Sequence, residues 1–169
     1  MYKILVVDDE SIEREGISFL IEKYKFPLEV AQATNGKTAL EYMRTHPIDI
    51  LLTDVKMPQM DGLELARHTF EKYPDVRILV FSAYGEFEFA KKAMAAQAVS
   101  YLLKPIEVDE FQRVMTQIIA QCDELSEKKK DEQQRGEEYR QQLLFRLVTG
   151  TGLGKAHITE EWFSGQTLC

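Results

Sequence analysis

The stretch Ile4-Leu5-Val6-Val7-Asp8-Asp9 places two adjacent carboxylates directly after four apolar residues. In three later stretches a polar group likewise follows an apolar run. They are Ile50-Leu51-Leu52-Thr53-Asp54, Ile78-Leu79-Val80-Phe81-Ser82 and Tyr101-Leu102-Leu103-Lys104-Pro105. Nearly continuous Ile, Leu and Val indicates strands that are covered on both faces. Because ligands bind at the carboxyl ends of the strands in open parallel sheets, we expect these polar groups to meet in one crevice.

Five short apolar runs alternate with segments of helical periodicity. The runs are Ile4–Val7, Glu29–Ala33, Ile48–Thr53, Arg77–Phe81 and Ser100–Leu103. The second run is interrupted by Gln32, which is typical of an edge strand. Five alternations of strand and helix predict a doubly wound α/β domain with right-handed crossovers.

The helical segments carry apolar stripes and start or stop signals. Ile17, Leu20, Ile21 and Tyr24 form one such stripe, and Phe111, Val114, Met115, Ile118 and Cys122 form another. We expect Ser11 to cap the first helix. Asp61-Gly62 should open the third helix, and Tyr73-Pro74 should end it.

Size and composition indicate a soluble globular protein with one main domain. The chain has 169 residues, of which 44% are hydrophobic and 29% charged, with a net charge of −7. An acidic chain repels nucleic acid, so this part is not expected to bind DNA itself. The beginning of the sequence does not resemble a signal peptide, and no apolar run reaches transmembrane length. Cys122 and Cys169 are far apart and match no CxxC or zinc spacing, which favours reduced thiols in a cytoplasmic protein.

The composition changes after Cys122. Residues 123–142 are rich in Glu, Lys, Gln and Asp, and a helical stalk that needs a partner is favoured over a stable coiled coil, because Lys129, Glu132 and Gly136 interrupt the apolar seam. A small apolar cluster around Leu143–Val148 precedes a predicted hinge at Thr149–Gly154. We therefore predict a domain over residues 1–121 and, over residues 122–169, a helical linker and the start of a truncated output region.

Asp8, Asp9 and Asp54 are the candidate acidic groups. Asp8 and Asp9 should lie where the backbone no longer buries them. A single aspartate there can cap a helix, but two adjacent carboxylates oppose each other's ionisation, and a divalent cation such as Mg²⁺ resolves that conflict. Asp54 is either a turn residue or the nucleophile of a phosphoryl transfer that forms an aspartyl phosphate.

Lys104 and Ser82 are the candidate phosphate-binding groups. A lysine at the end of a strand is usually only a solvated charge, but here its ammonium can reach a phosphate as a point charge. Pro105 ends the strand because proline cannot continue the ladder, and a cis Lys104-Pro105 bond would aim the lysine inward. Ser82 offers a hydroxyl at the same edge.

These motifs together resemble the receiver domain of a two-component response regulator. The resemblance covers about residues 2–121. It rests on Val6-Val7-Asp8-Asp9-Glu10, Asp54-x-x-Met57-Pro58-x-Met60-Asp61-Gly62, Ser82-Ala83 and Tyr101-Leu102-Leu103-Lys104-Pro105, which occur in the family's order and spacing. It implies a flavodoxin-like (βα)5 sandwich with the parallel strand order 2-1-3-4-5 and a C-terminal helical extension.

The resemblance also implies a role for each site residue. Asp54 would accept a phosphoryl group from a sensor histidine kinase. Mg²⁺ would be bound by Asp9, Asp54 and the backbone carbonyl of Lys56, with Asp8 acting through water. Lys104 and Ser82 would hold the phosphoryl oxygens, and Tyr101 would be the aromatic switch.

Such a domain is a phosphoacceptor switch, with weak autophosphorylation and autodephosphorylation, rather than an enzyme. Lys56 and Tyr84 match positions that commonly tune the loss of the phosphoryl group. Phosphorylated relatives pair as homodimers. Gln97-Ala98-Val99 stands where many relatives have a glycine.

Tyr84-Gly85-Glu86-Phe87-Glu88-Phe89-Ala90 resembles the subgroup of regulators that carry an AraC-type DNA-binding domain. DNA would then be contacted only through an output domain outside this chain, and a stand-alone receiver remains the alternative. A Mg²⁺-dependent phosphatase is a remote alternative. Such an enzyme places a second acid two residues after its nucleophile, and Lys56 stands at that position after Asp54 here. A dinucleotide module lacks its glycine-rich turn, and Gly150–Lys155 does not match a P-loop.

Overall fold

A computed structural model describes residues 1–83 and 100–149 of the chain. The strands are β1 (Tyr2–Val7), β2 (Leu28–Ala33), β3 (Ile50–Asp54), β4 (Arg77–Ala83) and β5 (Ser100–Lys104). The helices are α1 (Ser11–Lys23), α2 (Gly36–Thr45), α3 (Gly62–Lys72) and a C-terminal helix (Val108–Thr149). The helix expected between β4 and β5 falls in residues 84–99, outside the described residues.

The five strands form one parallel sheet in the order β2-β1-β3-β4-β5. This order confirms the predicted topology and places the polar second strand at an edge. Strand order reverses beside β1, so the carboxyl ends of β1 and β3 flank the position where such sheets bind ligands.

Successive side chains along each strand point to opposite faces of the sheet and are buried in two different cores. In β1, Ile4 and Val6 pack into one core with α1 and the C-terminal helix. Leu5 and Val7 pack into the other core with α2 and α3. Both faces of the sheet are therefore covered, which is why the strands read as continuous apolar runs.

Most helix signals are confirmed, and one is wrong. Asp61 caps α3 by accepting from the amide of Glu64 (2.8 Å), and Tyr73 ends that helix. In α1, however, Glu10 occupies the N-cap position without a side-chain cap, and Ser11 is already the first helical residue. The Asp8 carboxylate explains this shift, because it accepts a hydrogen bond from the Glu10 amide (2.8 Å).

The C-terminal helix begins as part of the first core. The predicted stripe is buried there, and it consists of Phe111, Val114, Met115, Ile118 and Cys122. The hydroxyl of Tyr2 donates to Asp123 Oδ1 (2.6 Å), which joins this helix to β1 and raises the pKa of Tyr2 to about 12. Cys122 is a free thiol, and burial raises its pKa to about 11, as expected of an inert core cysteine.

The chain divides into two compact units, Met1–Ser126 and Glu127–Cys169. Residues 127–149 of the second unit are helical, and every side chain among them is exposed. These exposed side chains include large apolar ones, among them Leu144, Phe145 and Leu147. The proposed domain boundary near residue 121 stays a prediction, and the predicted hinge lies almost entirely outside the described residues. No helix in the described part of the chain is long and apolar enough to cross a membrane.

Candidate functional site

The ammonium of Lys104 lies between two carboxylates at the carboxyl edge of the sheet. Its Nζ is 2.9 Å from Asp8 Oδ2 and 2.9 Å from Asp54 Oδ1. The side chains of Asp8 and Asp54 are 2% and 10% exposed, and that of Lys104 is 19% exposed. The same ammonium lies over the Phe81 ring, 4.7 Å from its centroid. Three separate strands thus bring their terminal polar groups into direct contact, as the sequence predicted.

Asp54 is the last residue of β3, and its carboxylate is held from two directions. Oδ1 pairs with Lys104, while Oδ2 accepts from the backbone amide of Lys56 (2.8 Å). The Thr53 hydroxyl donates to the Asp54 carbonyl (3.0 Å). This carboxylate is an oriented, partly dehydrated group rather than a solvated turn residue.

Asp8 is buried, which corrects the expectation that the backbone no longer buries this residue. Burial is tolerated because both carboxylate oxygens have partners, Oδ1 the Glu10 amide and Oδ2 Lys104. Arg14 Nη1 donates to the Asp8 carbonyl (2.6 Å) and fixes the backbone. Only Asp9 of the acidic pair is exposed, as predicted.

Asp9 faces an open cavity of about 430 Å³ beside the loop that follows β3. The other lining residues are Val55, Lys56, Met57, Pro58 and Asp61. Among residues 1–83 and 100–149, no three His, Cys, Asp or Glu side chains are grouped to hold a metal ion. Mg²⁺ usually takes only one or two protein carboxylates and completes its shell with water and phosphate oxygens. Carboxylate and carbonyl oxygens beside an open cavity are therefore a donor set that fits this ion.

Burial raises the pKa of Asp54 above that of an ordinary aspartate. The hydrogen bond and charge of Lys104 oppose this effect, and the negative charge of Asp8 reinforces it. For Lys104, burial lowers the pKa, but the hydrogen bonds and charges of Asp8 and Asp54 outweigh it, so the pKa is raised overall. Lys104 therefore stays charged at neutral pH, and the pair of carboxylates is only partly compensated by one cation.

Ser82 lies on β4, the neighbour of β3, and Tyr101 lies on β5, the strand beyond it. Ser82 is a buried residue near the end of β4, in register with Leu103 of β5. Tyr101 is half-buried against the core that contains α2 and α3, and its hydroxyl oxygen is buried with no hydrogen-bond partner among the described residues. Lys104-Pro105 is a cis peptide bond. Tyr84, the Tyr84–Ala90 motif and Gln97-Ala98-Val99 lie outside the described residues.

Gly62 allows α3 to approach the backbone of Asp54 directly. A Cβ at this position would lie 1.8 Å from the Asp54 carbonyl oxygen and 2.8 Å from the carbonyl carbon. The Gly62 amide also donates to the Val55 carbonyl (3.0 Å). Any larger residue would displace the backbone of Asp54, which explains a glycine after the Asp61 cap.

A second depression extends from the site along α1. It is lined by Glu13, Gly16, Ile17, Phe19, Leu20, Phe81, Lys104, Pro105 and Ile106, and its volume is about 340 Å³. Two large apolar side chains of α1, Ile12 and Phe19, are 73% and 61% exposed. An exposed apolar surface next to the contact between Asp54 and Lys104 is a candidate for contact with another protein.

Sequence reasoning did not identify three residues that support the site. Arg14 holds the Asp8 backbone, Phe81 lies under the Lys104 ammonium, and Gly36 packs against the loop after β3. Arg14 and Phe81 carry no motif signal, because a helix arginine and a strand phenylalanine are ordinary. Only Gly36, at the start of α2, could have suggested that another part of the chain approaches the helix closely at this point.

The chain matches the family described as "Response regulator receiver domain" over residues 4–116. It is 41% identical over 122 residues to the "Uncharacterized transcriptional regulatory protein YesN" of Bacillus subtilis (strain 168), covering 72% of this chain and 33% of that protein. The chain spans less than half the length of the first three curated relatives.

Solved structures of response regulators are also similar to this chain. The receiver domain of AraT, a response regulator from Geobacillus stearothermophilus, is 37% identical with a TM-score of 0.67, over 76% of this chain and 98% of that one. The two-component transcriptional regulator AraC from Clostridium phytofermentans ISDg is 32% identical with a TM-score of 0.67, over 76% and 99% of the two chains. With the five-stranded fold and the aspartate–lysine site, these matches show that the chain belongs to the response regulator receiver domain family.

Proposed function

We propose that Asp54 is the phosphoacceptor of a phosphorylation-controlled switch. The observation that carries the proposal is the Lys104 ammonium, which lies 2.9 Å from Asp54 and 2.9 Å from Asp8 at the carboxyl edge of the sheet. This arrangement pre-positions a cation beside the carboxylate that would be modified. A phosphoryl group arriving at Asp54 would bring anionic oxygens to that cation.

The proposed reaction transfers a phosphoryl group from a phosphohistidine of a sensor kinase. A carboxylate oxygen of Asp54 bonds to phosphorus as the bond from phosphorus to the donor nitrogen breaks, and its electron pair returns to the imidazole. Lys104 and Ser82 would bind the phosphoryl oxygens. The apolar depression along α1 supports a protein donor, since it reaches Lys104 and exposes Phe19.

Mg²⁺ would be held by Asp9, Asp54 and the carbonyl of Lys56, with Asp8 contributing through water. When bound, the ion neutralises negative charge that would otherwise repel the anionic donor. The open cavity beside Asp9 and Lys56 supports this assignment. The protein residues orient the nucleophile, because the Lys56 amide fixes one oxygen of Asp54 while Lys104 fixes the other.

Incubation with acetyl phosphate and Mg²⁺ is expected to add the mass of one phosphoryl group, read by intact-protein mass spectrometry. Peptide mapping after trapping should locate the group at Asp54. Excess EDTA should prevent the gain, because the negative charge of Asp8, Asp9 and Asp54, which Lys104 compensates only in part, then repels the anionic donor. Labelling at full rate in EDTA, or at another residue, would contradict the proposal.

Phosphorylation would act through Tyr101 and an output domain outside this chain. New charge at Asp54 favours those states of the surrounding loops that contact it, and Tyr101 would follow by moving inward. Its half-buried position and its hydroxyl, which lacks a partner among the described residues, support a side chain with two available positions. The likeness to transcriptional regulators supports an AraC-type DNA-binding output and action in the cytoplasm.

We also propose that the phosphorylated form pairs as a homodimer. The labelled sample should then sediment faster than the unlabelled chain at the same concentration in analytical ultracentrifugation. Asp54→Asn, treated identically, is the control for effects of acetyl phosphate itself. Equal sedimentation of labelled and unlabelled protein would count against this pairing.

A further inference from the structure

The loop Val55–Asp61 connects Asp54 to α3 and carries the Lys56 carbonyl assigned above to Mg²⁺. It is fixed at both ends by hydrogen bonds. The Lys56 amide donates to Asp54 Oδ2 (2.8 Å), and the Gly62 amide donates to the Val55 carbonyl (3.0 Å). Neither bond fixes the middle of the loop.

The middle of the loop is held by a contact with α2. A Cβ on Gly36, the first residue of α2, would lie 2.7 Å from Met60 Cγ, 2.8 Å from Sδ and 3.0 Å from Cβ. The Met60 side chain therefore occupies the space that a side chain at position 36 would need. Met60 also packs against the core that contains α2 and α3.

The loop adopts a conformation that requires such support. Gln59 has φ of 71°, a left-handed backbone that non-glycine residues seldom adopt, and the Met60 amide donates back to the Pro58 carbonyl (2.9 Å). A residue in this region persists when the surrounding structure holds it there. The neighbouring Met60 contact supplies that constraint.

We propose that Gly36 is a positioning residue for phosphoryl transfer: by leaving room for Met60, it holds the loop so that Lys56 stays beside Asp54. Gly36 lies on another helix and contacts the loop through Met60. The inference rests on the proposed function of Asp54 and names a residue outside its motif. Small displacements of groups around a reacting atom reduce rates steeply, so a displaced loop should slow labelling.

Gly36→Ala is expected to slow labelling by acetyl phosphate about tenfold at limiting Mg²⁺. It should also raise the Mg²⁺ concentration that gives half-maximal labelling, a shift that a general loss of stability would not produce. Gly136→Ala is the matched control, because a Cβ there meets nothing within 4 Å. That control should label like the unmodified chain.

Gly36→Ala should have no further effect once the Met60 side chain is gone. Gly36→Ala combined with Met60→Ala has no clash, so the double variant should label at the rate of Met60→Ala alone. If Gly36→Ala does not fold, Met60→Ala alone should label more slowly and should need a higher Mg²⁺ concentration for half-maximal labelling. Folding of each variant is checked by circular dichroism and thermal melting.

Three outcomes would overturn the inference. A folded Gly36→Ala variant with unchanged rate and Mg²⁺ dependence would do so, as would a double variant whose rate equals the product of the two single effects. Unchanged labelling of Met60→Ala would also do so. If the unmodified chain labels at Asp54 in the same experiment, the proposed function stands while this inference fails. If it does not label, both fall.

Discussion

Asp54→Asn is expected to abolish phosphoryl labelling and to raise the free energy of unfolding at neutral pH by about 1 kcal/mol. Labelling is lost because an amide oxygen cannot replace the carboxylate as nucleophile. Stability rises because asparagine removes a buried negative charge while keeping an oxygen that can accept from the Lys56 amide. Lys104 retains its partner Asp8.

The stability gain should depend on pH in a defined direction. Burial raises the pKa of Asp54, so the folded chain binds the proton more tightly than the unfolded chain does. The contribution of Asp54 to stability is therefore present below the ordinary aspartate pKa and is lost as pH rises through the raised value. Asparagine stays neutral, so the advantage of the variant should be greatest at neutral pH and shrink in acid.

Urea unfolding between about pH 7 and pH 4 measures this difference. Asp131→Asn is the matched control, because the same substitution is made at an exposed helical position. It should change neither labelling nor stability appreciably. A destabilised Asp54→Asn variant at neutral pH would show that the Lys104 contact outweighs burial.

The sheet and its polar edge were predictable because strand boundaries coincide with changes in chemistry. Asp54 follows four residues that must be buried on both faces, and its charge can lie only where the strand ends. The parallel order then brings Asp54 and Lys104 to the same edge. Identity, order and spacing of the motifs were sufficient for this part of the site.

The burial of Asp8 was not predictable in the same way. A carboxylate after a strand is normally expected in solvent, and the burial of this one depends on two partners that the spacing of the motifs does not encode. Lys104 arrives from 96 residues away, and the Glu10 amide supplies the second hydrogen bond. The Ser11 cap was misplaced for the same reason, since the Asp8 carboxylate already binds the amide that begins the turn.

Contacts with glycine were also beyond sequence reasoning. Gly62 was recognised as part of a helix start, but its close approach to the Asp54 carbonyl follows from the path of α3. Gly36 and Met60 are separated by 24 positions, and no periodicity relates them. Such contacts depend on how the loop after β3 folds back onto α2, which is a property of packing.

Lys104→Met is expected to lower the free energy of unfolding by about 3 kcal/mol, because it leaves two buried carboxylates without their shared cation. Methionine keeps most of the length and the apolar stem of lysine, so the substitution chiefly removes the charge, including its contact with the Phe81 ring. Without Lys104, the pKa of Asp54 should rise further, since that ammonium lowers it more than the Lys56 amide does. The stability difference from the unmodified chain should therefore be largest at neutral pH and smallest in acid.

Two further measurements separate charge from packing in this variant. Mg²⁺ should restore part of the lost stability, because a cation that binds only the folded site stabilises it by mass action. Labelling by acetyl phosphate should nevertheless stay about 100-fold slower even at saturating Mg²⁺, since the group that contacts the phosphoryl oxygens is missing. Lys128→Met, at an exposed position, should alter neither property. Full labelling of Lys104→Met would show that the 2.9 Å contact with Asp54 serves only the resting fold.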